Sequence, residues 1–312
     1  MSYTDEQVKY IKELRNDGLE WEEVADQYNT MFPGERKTAN SLRKTSARYG
    51  GTDKVVRVPK TLKPIKLKKA IPMSNKSDSE NYSTIMVISD THFPNGHQDV
   101  FPFLKEVKRI YSPDKVVHIG DEVDKHSLSF HDSDPDLMSA GDELSAAIED
   151  LRPLYKLFPE VDLLESNHGS LVYRKAKHHG IPVRYIRDYG DVLEAPKGWK
   201  WHSSLKLRSG DNDILFRHQF KKNGLQAALM ENCCTVQGHF HTDATVAYGA
   251  NSYKLLWGMT VGCLIDDDSL AFSYNKTDMK RPILSIGLII DGHAMILPMV
   301  LDSNGRWIGK LV

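Results

Sequence analysis

Five polar residues along the chain each come directly after an apolar run. STIMVIS is followed by Asp90, KVVHIG by Asp121, VDLLES by Asn167, DILFR by His218 and CTVQG by His239. Because the carboxyl ends of strands in an α/β sheet meet along one edge, we expect these side chains to converge there. Carboxylate, amide and imidazole groups together suit a divalent transition metal. The sequence therefore predicts a metal centre to which cysteine contributes nothing.

The segments between these runs must hold the polar groups in place. Phe101–Ile110 and Leu144–Leu157 repeat apolar residues at helical spacing, so residues 83–312 alternate strands with helices. This alternation predicts an α/β domain whose sheets are parallel or mixed and covered by helices. Near the end, ILSIGLIIDGHAMILPMV places Asp291-Gly292 between two apolar runs, which predicts an antiparallel hairpin.

The polar residues also follow one another in a recognisable order. In this sequence they read Asp90-x-His92, Gly120-Asp121-x-x-Asp124, Asn167-His168, His218 and Gly238-His239-x-His241. This order resembles the calcineurin-like metallophosphoesterase superfamily, and the whole architecture looks like that of bacteriophage-encoded proteins. The resemblance covers residues 83–260. It implies a β-sandwich of mixed sheets flanked by helices.

The same resemblance implies a centre of two divalent metal ions. Asp121 would bridge them, because two ions ~3.5–4 Å apart need a shared carboxylate. A water between the ions would become the hydroxide that attacks phosphorus near neutral pH. Manganese is the favoured metal, with Fe, Zn, Ni or Mg as alternatives. The first ion would be held by Asp90, His92 and His241, and the second by Asn167, His218 and His239.

Asn167 and His168 have unusual neighbours, Ser166 and Gly169. Members of the superfamily usually have Gly before the Asn and an acid after the His. A catalytic His needs a partner that orients its ring, and His168 is the expected general acid for the departing oxygen. The resemblance implies that Asp124 is this partner, because the matching acid pairs with the catalytic His in the phosphoprotein phosphatases.

Two cations are candidate contacts for the substrate phosphate. Lys125 stands where the phosphoprotein phosphatases have Arg, and a Lys would grip a phosphomonoester less specifically because it is a point charge. Arg174 is the second candidate, with an ordinary position on a helix surface as the alternative. Among the other histidines, we expect His118 in the core. The remaining candidates could line the substrate cleft or lie in surface loops: His97, His126 and His131.

Residues 1–50 predict a small domain of three helices. Thr4 and Gln7 have the spacing of a capping box, and the segment after Pro33-Gly34 predicts a third helix near Thr38. The pattern around Trp21 resembles the Myb/SANT-like helix-turn-helix, which implies DNA binding, with protein binding as the alternative. The polar face of the third helix supplies the candidate DNA contacts, Asn40, Arg43, Lys44 and Arg48.

Residues 51–82 predict a linker, because Pro59, Pro64 and Pro72 interrupt any regular period. The first half is rich in lysine. It would add non-specific phosphate contacts beside a DNA-binding domain, or serve only as a soluble tether.

Composition limits the classes of protein that this chain can be. It has 312 residues with a formal net charge of −1, which argues against a general polyanion binder. Its three cysteines include no paired CxxC, so we expect a reducing compartment. The charged N-terminus does not resemble a signal peptide, and no apolar run is long enough to cross a bilayer. We expect a cytoplasmic protein with no membrane partner, and the resemblance to bacteriophage-encoded proteins implies the cytoplasm of an infected bacterium.

Taken together, the sequence predicts a two-metal phosphoesterase that hydrolyses nucleic-acid phosphodiesters, with DNA as its partner. One alternative is a phosphomonoesterase acting on protein, nucleotides or nucleic-acid ends. A second is a DNA-binding regulator whose phosphoesterase domain is vestigial. The oligomeric state does not follow from the sequence.

Overall fold

The computed structural model describes most of the chain in two units. The described residues are 3–16, 19–34, 36–49, 75–129, 136–220, 223–266 and 281–312. Most contacts are made within Met1–Lys66 or within Leu67–Val312, so these ranges form two compact units. His131 and most of the predicted linker lie outside the described residues. Within the described part of the chain, no helix is long and apolar enough to span a membrane.

The first unit contains the three predicted helices, α1 (Asp5–Asn16), α2 (Trp21–Met31) and α3 (Ala39–Arg48). The capping box is present, since the Gln7 backbone N–H donates to Thr4 Oγ1 at 3.3 Å and Gln7 Oε1 accepts from the Thr4 N–H at 3.0 Å. The helices enclose a small apolar core. A helical spacing of three and four residues was enough to predict this unit, because its packing uses one face of each helix.

The second unit contains five helices and twelve strands in its described residues. The helices are α4 (Val100–Tyr111), α5 (Ala140–Leu157), α6 (Leu171–His178), α7 (Tyr189–Val192) and α8 (Gly224–Glu231). The strands are β1 (Asn75–Asn81), β2 (Thr84–Ile88), β3 (Lys115–His118), β4 (Val161–Leu164), β5 (Trp199–His202), β6 (Ser204–Ser209), β7 (Asn212–Phe216), β8 (Cys234–Gln237), β9 (Thr245–Ala250), β10 (Leu255–Thr260), β11 (Ser285–Ile290) and β12 (His293–Pro298).

The strands form two six-stranded sheets of mixed direction. The first has the order β1-β6-β7-β8-β10-β9, and the second has the order β12-β11-β2-β3-β4-β5. Strands β2 to β5 are parallel, and β7 and β8 are also parallel. The hairpin of β11 and β12 turns at Asp291-Gly292, as predicted. The predicted fold class, mixed sheets flanked by helices, is confirmed.

Two apolar cores explain why the strand sequences are nearly all hydrophobic. One core lies between the sheets and includes Val87 and Phe216. The other lies between the second sheet and its helices, where Met86 packs with Phe103 and Leu151. Because successive residues of β2 enter different cores, the strand is buried on both faces and its sequence shows no polar alternation.

Strand β1 corrects the boundary of the predicted linker. Its sequence NKSDSEN contains no apolar residue, and residues 51–82 were expected to have no regular structure. In the structure β1 runs parallel to β6 at the edge of the first sheet. Lys76 Nζ lies 3.0 Å from Asp162 Oδ2, which fastens the strand to the buried interior. An edge strand can be held by backbone hydrogen bonds and one ion pair, so hydrophobic periodicity does not reveal it.

Candidate metal centre

The predicted strand ends meet at one place. Asp90, Asp121 and Asn167 follow β2, β3 and β4, which are parallel neighbours in the second sheet. His218 and His239 follow β7 and β8, which are parallel neighbours in the first sheet. Both sheets therefore direct the carboxyl ends of parallel strands to a common site between them, as expected for a ligand site in an α/β fold.

Four of the predicted ligands have left-handed backbone conformations. The φ angles are +48° at Asp90, +46° at His92, +53° at Asp121 and +69° at His239. An L-residue with a side chain is disfavoured there by roughly 1–2 kcal/mol. Such strain persists only where surrounding structure imposes it, and it is concentrated at functional sites. In this fold the sharp turn after each strand aims the side chain at the site.

The first predicted ligand set lies together. One ligand atom each from Asp90, His92 and His241 falls within 4.8 Å of the others. His241 Nε2 is 3.3 Å from Asp90 Oδ1. Asp90 Oδ1 is buried, and no group in the described part of the chain donates a well-aligned hydrogen bond to it. A buried carboxylate oxygen in this position suits a cation, because burying it unpaired is unfavourable.

The second predicted set also lies together. Ligand atoms of Asp121, His218 and His239 fall within 4.8 Å of one another. Asn167 Oδ1 is 2.6 Å from His218 Nε2, so the amide oxygen belongs to the same cluster. Imidazole nitrogens with carboxylate and amide oxygens form a donor set that fits a first-row divalent metal.

Asp121 lies between the two sets. Its Oδ2 atom is 3.2 Å from His218 Nε2 and 3.7 Å from His92 Nε2. This is the placement that a bridging carboxylate requires. Its other oxygen, Oδ1, accepts a hydrogen bond of 3.1 Å from the His168 backbone N–H, which holds the carboxylate in orientation. The residues present therefore fit two metal ions that share Asp121.

The charges of the cluster agree with cation binding. Burial lowers the pKa of His92, but hydrogen bonds to Asp124 and Asp90 outweigh burial and raise it to about 10. Burial likewise opposes the charge of His218, but the Asp121 carboxylate raises its pKa to about 9. The carboxylates thus stabilise positive charge on their neighbours. A metal-bound imidazole must be deprotonated, so metal binding would replace protons by cations of higher charge.

His168 lies at the open side of the cluster. Its side chain is 25% exposed, whereas those of Asp121 and His92 are 1% and 2% exposed. Its Nδ1 contacts the Asp124 backbone carbonyl and lies 3.4 Å from Asp124 Oδ1. Burial lowers the pKa of His168, and the Asp121 carboxylate opposes that effect. The ring of His168 is therefore held by Asp124 and is partly open to solvent.

The position of Asp124 differs from the sequence interpretation. Its carboxylate was expected to orient His168, but the short hydrogen bonds of the carboxylate are to His92 and Asn95. Asp124 Oδ1 is 2.8 Å from His92 Nδ1, and Oδ2 accepts from Asn95 Nδ2 at 3.0 Å. The side chain therefore orients a predicted metal ligand, while the backbone carbonyl of the same residue orients His168. The carboxylate reaches His168 only at the longer distance of 3.4 Å.

No family model and no curated protein matches the sequence. An archaeal phosphodiesterase of solved structure is 13% identical; the match covers 69% of this chain and 99% of that one, with a TM-score of 0.37. Vacuolar protein sorting 29 from Cryptosporidium parvum is 13% identical. This match covers 75% of this chain and 96% of that one, with a TM-score of 0.39. Vps29 from Chaetomium thermophilum is 12% identical. This match covers 73% of this chain and 93% of that one, with a TM-score of 0.36. Sequence identities this low show a likeness of fold alone, and the chemistry of a site depends on the residues that form it.

Lys125 is not placed to contact a substrate phosphate, contrary to the sequence interpretation. It is only 6% exposed, and its Nζ atom donates to the carbonyls of His168 at 3.0 Å and Gly169 at 3.2 Å. The ammonium also lies 3.9 Å from the ring centroid of Tyr189. Burial lowers the pKa of Lys125 to about 8. The side chain instead holds the loop that carries His168.

Arg174 is exposed on α6, and its Nη2 atom donates to the Asn167 carbonyl at 2.8 Å. It therefore lies beside Asn167, and its role as a contact of the substrate phosphate stays a prediction.

Sequence reasoning named Ser166 and Gly238 but assigned neither of them a role in shaping the centre. Ser166 Oγ accepts from the backbone N–H groups of Asp121 and Gly169, both at 3.0 Å. Ser166 thus ties the backbone of Asp121 to the His168 loop. Gly238 is the second, because a Cβ there would lie 2.5 Å from Asp90 Oδ2. The sequence could not show the contact between Ser166 and Asp121, since the two residues are 45 positions apart.

The remaining histidines have structural surroundings. His118 is fully buried in β3, where its Nδ1 accepts from the Gly120 N–H at 3.1 Å, as expected for a core residue. His97 is also buried, and its Nε2 is 3.0 Å from the Gly305 carbonyl rather than at the metal cluster. The His126 backbone N–H donates to Glu143 at 2.6 Å in a short 3-10 helix.

In the first unit, α3 presents the predicted polar face. Leu42, Thr45 and Ser46 are buried on the opposite side. The candidate DNA contacts are all exposed: Asn40, Arg43, Lys44 and Arg48. This arrangement places three cations on the exposed surface of one helix.

Proposed function

We propose that this chain is a metal-dependent phosphoesterase of the calcineurin-like type that hydrolyses nucleic-acid phosphodiesters. The observation that carries the proposal is the pair of ligand sets that meet at Asp121, whose Oδ2 lies 3.2 Å from His218 and 3.7 Å from His92. A site of this form is typical of enzymes that hydrolyse phosphate esters with two metal ions. We propose manganese as the metal and a bacteriophage as the source.

Each group of the chain has a distinct part in this reaction. Two divalent ions held there would neutralise the phosphate oxygens and activate water as the nucleophile. His168, at the open side of the cluster, donates a proton to the departing oxygen. The Asp124 backbone carbonyl orients the ring of His168, and Lys125 holds the loop on which it stands.

The nucleic-acid substrate is inferred from the N-terminal unit. Its third helix exposes Arg43, Lys44 and Arg48, and the following residues 51–70 are rich in lysine. A three-helix unit with a basic third helix is suited to the DNA major groove. Binding there would raise the local concentration of phosphodiesters near the metal centre.

The function is tested by comparing substrates in the presence of Mn²⁺. We expect hydrolysis of bis(p-nitrophenyl) phosphate and of DNA, and loss of both activities in Asp121→Asn. Hydrolysis of p-nitrophenyl phosphate alone would favour the phosphomonoesterase and exclude the nuclease. Absence of metal-dependent turnover on every substrate would favour the DNA-binding regulator.

The role of His168 is tested separately. His168→Ala should lower kcat by about 10²–10⁴-fold, the usual contribution of a positioned proton donor. Two equivalents of metal should remain bound, because His168 is assigned no ligand role. Loss of a metal equivalent in this variant would contradict that assignment, and a substrate with a p-nitrophenolate leaving group should be less affected because it needs less protonation.

A further inference from the structure

A basic segment extends from the metal centre along the surface of the second unit. Residues 171–187, LVYRKAKHHGIPVRYIR, contain no acidic residue, and they are referred to below as the basic segment. The whole chain has a formal net charge of −1, so this is a local excess of positive charge. Its cations are Arg174, Lys175, Lys177, Arg184 and Arg187.

Three cations of the basic segment face solvent. Lys177, Arg184 and Arg187 are all exposed. Arg187 Nη2 donates to the Asp191 carbonyl at 3.0 Å, which neutralises no charge. Exposed cations without a neighbouring acid in their own segment attract a polyanion, and the attraction weakens with salt.

Both ends of the basic segment lie next to the catalytic loop. At its start, the Leu171 N–H donates to the His168 carbonyl at 3.2 Å. Its end returns to the same place, because Ile186 and Arg187 line a cavity of about 90 Å³ together with Gly169. Both ends of the basic segment therefore lie beside the loop that carries His168.

The basic segment also carries an exposed aromatic ring. Tyr185 is 71% exposed, which is unusual for a side chain of this size. The Arg184 guanidinium lies 5.5 Å from the centroid of its ring. A tyrosine beside an arginine at the surface offers one face for a planar base and one cation for the adjacent phosphate.

We propose that the basic segment binds single-stranded nucleic acid and guides it into the metal centre. This inference rests on the proposed function and adds the substrate class to it. Lys177, Arg184 and Arg187 contact the phosphates, and Tyr185 stacks on a base. A flexible single strand exposes the faces of its bases, whereas a duplex keeps them stacked inside, so the ring of Tyr185 selects the single strand.

The cations are tested in the full chain with the triple variant Lys177→Gln/Arg184→Gln/Arg187→Gln. The measurement is kcat/KM for a single-stranded oligodeoxynucleotide as a function of salt. Each phosphate contact with a single strand contributes about 0.7 to the slope of log affinity against log salt, so the slope should fall by about 2. Turnover of bis(p-nitrophenyl) phosphate, which is too small to reach the segment, should be unchanged.

A matched control removes the same charge elsewhere. Lys105→Gln/Arg208→Gln/Lys254→Gln replaces three exposed cations outside the basic segment. This variant should keep the wild-type salt slope. An equal loss in both triple variants would show that only overall charge matters, and would overturn the proposal.

The aromatic ring is tested by Tyr185→Ala and Tyr185→Phe. Stacking of one base is worth about 5- to 150-fold in affinity, so Tyr185→Ala should raise KM for the oligonucleotide by a factor in that range. Tyr185→Phe should restore the wild-type value because it keeps the ring. If Tyr185→Ala had no effect, or if duplex DNA lost as much as the single strand, selection of a single strand would be wrong.

Failure of this inference differs from failure of the proposed function. If the wild type hydrolyses the small diester but the triple variant keeps its salt slope, the basic segment is not the substrate path. If the wild type hydrolyses no diester, the catalytic proposal fails, and oligonucleotide binding by fluorescence anisotropy still tests the segment with the same variants. Competition by polyglutamate equal to that by the oligonucleotide would assign the surface to acidic peptides and overturn the proposal.

Discussion

Replacing Lys125 by methionine separates the support of the catalytic loop from phosphate binding. Lys125 Nζ donates to the carbonyls of His168 and Gly169 at 3.0 and 3.2 Å, and it lies over the ring of Tyr189. Methionine fills nearly the same volume but has no donor. The two carbonyls would therefore lose their partner while the surrounding packing is kept.

Two opposing contributions determine the change in the free energy of unfolding: the lost hydrogen bonds and the removed cost of burying a charge. Each hydrogen bond from a charged donor contributes about 1.5–3 kcal/mol, and both would be lost. Burial lowers the pKa of Lys125 from 10.5 to about 8, so the wild type bears a cost of about 3 kcal/mol that methionine removes. We expect Lys125→Met to lower the free energy of unfolding by only about 0–3 kcal/mol.

The effect on catalysis should be larger than the effect on stability. Once the carbonyl of His168 is released, the ring can move relative to the metal centre, and a displacement near 1 Å costs about 10²-fold in rate. We expect kcat for an oligodeoxynucleotide, whose departing oxygen needs protonation, to fall by about that factor, with KM and metal content little changed. A residue that contacts the phosphate would instead raise KM.

Lys115→Met is the matched control. Lys115 Nζ lies 2.6 Å from Asp162 Oδ2 at the start of β3, the opposite end of the strand from Asp121. This variant should lower the free energy of unfolding, measured by urea denaturation, without changing kcat. If Lys125→Met kept the wild-type kcat, or if only KM changed, the assigned role in holding the His168 loop would be refuted.

Stability should also depend on pH in a defined direction. Burial lowers the folded-state pKa of Lys125 to about 8, below its ordinary value of 10.5. Below pH 8 the folded state bears the full cost of the buried charge. As pH rises from 8 to 10.5 the unfolded state binds more protons than the folded state, so the wild type gains stability relative to Lys125→Met. A difference that stayed constant across this range would contradict the burial argument.

Three further predictions concern other parts of the chain. In Gly238→Ala, the new methyl group would meet Asp90 Oδ2 at 2.5 Å, so we expect metal affinity, measured by calorimetry, to fall by about 10-fold or more. In Asp99→Asn, the charge and one acceptor oxygen of the ion pair with Arg306, whose hydrogen bonds lower the pKa of Asp99 to about 2, are lost. Urea denaturation should show about 1–2 kcal/mol less stability at neutral pH, and the difference from wild type should disappear as pH falls from about 4 through 2. Removal of residues 1–70 should weaken DNA binding and flatten its salt dependence, while small-diester turnover persists; a fall in that turnover would place the N-terminal unit in the active site.

Much of the metal centre could be predicted because its signal is local. Asp90, Asp121 and His239 each follow an apolar run, and the end of a buried strand is the place where a polar side chain reaches a shared edge. The three helices of the first unit were predictable for the same reason, since helical spacing and a capping box involve neighbours in the sequence.

The roles of Lys125 and Asp124 could not be predicted in this way. Their positions after Asp121 suggested a phosphate contact and a partner for His168. Their actual partners, the carbonyls of His168 and Gly169 and the ring of His92, lie far along the chain. Spacing within one motif does not specify such distances.

The sequence by itself determined which groups meet at the strand ends, because alternating burial and polarity dictates where each strand stops. Only the tertiary structure decided what each group does. Asp121 lies between two ligand sets, Asp124 orients His92, and Lys125 faces inward to hold the loop of His168. It also made an edge strand of Asn75–Asn81, a polar segment without apolar periodicity. These outcomes depend on contacts between distant residues, which form only when the two sheets pack together.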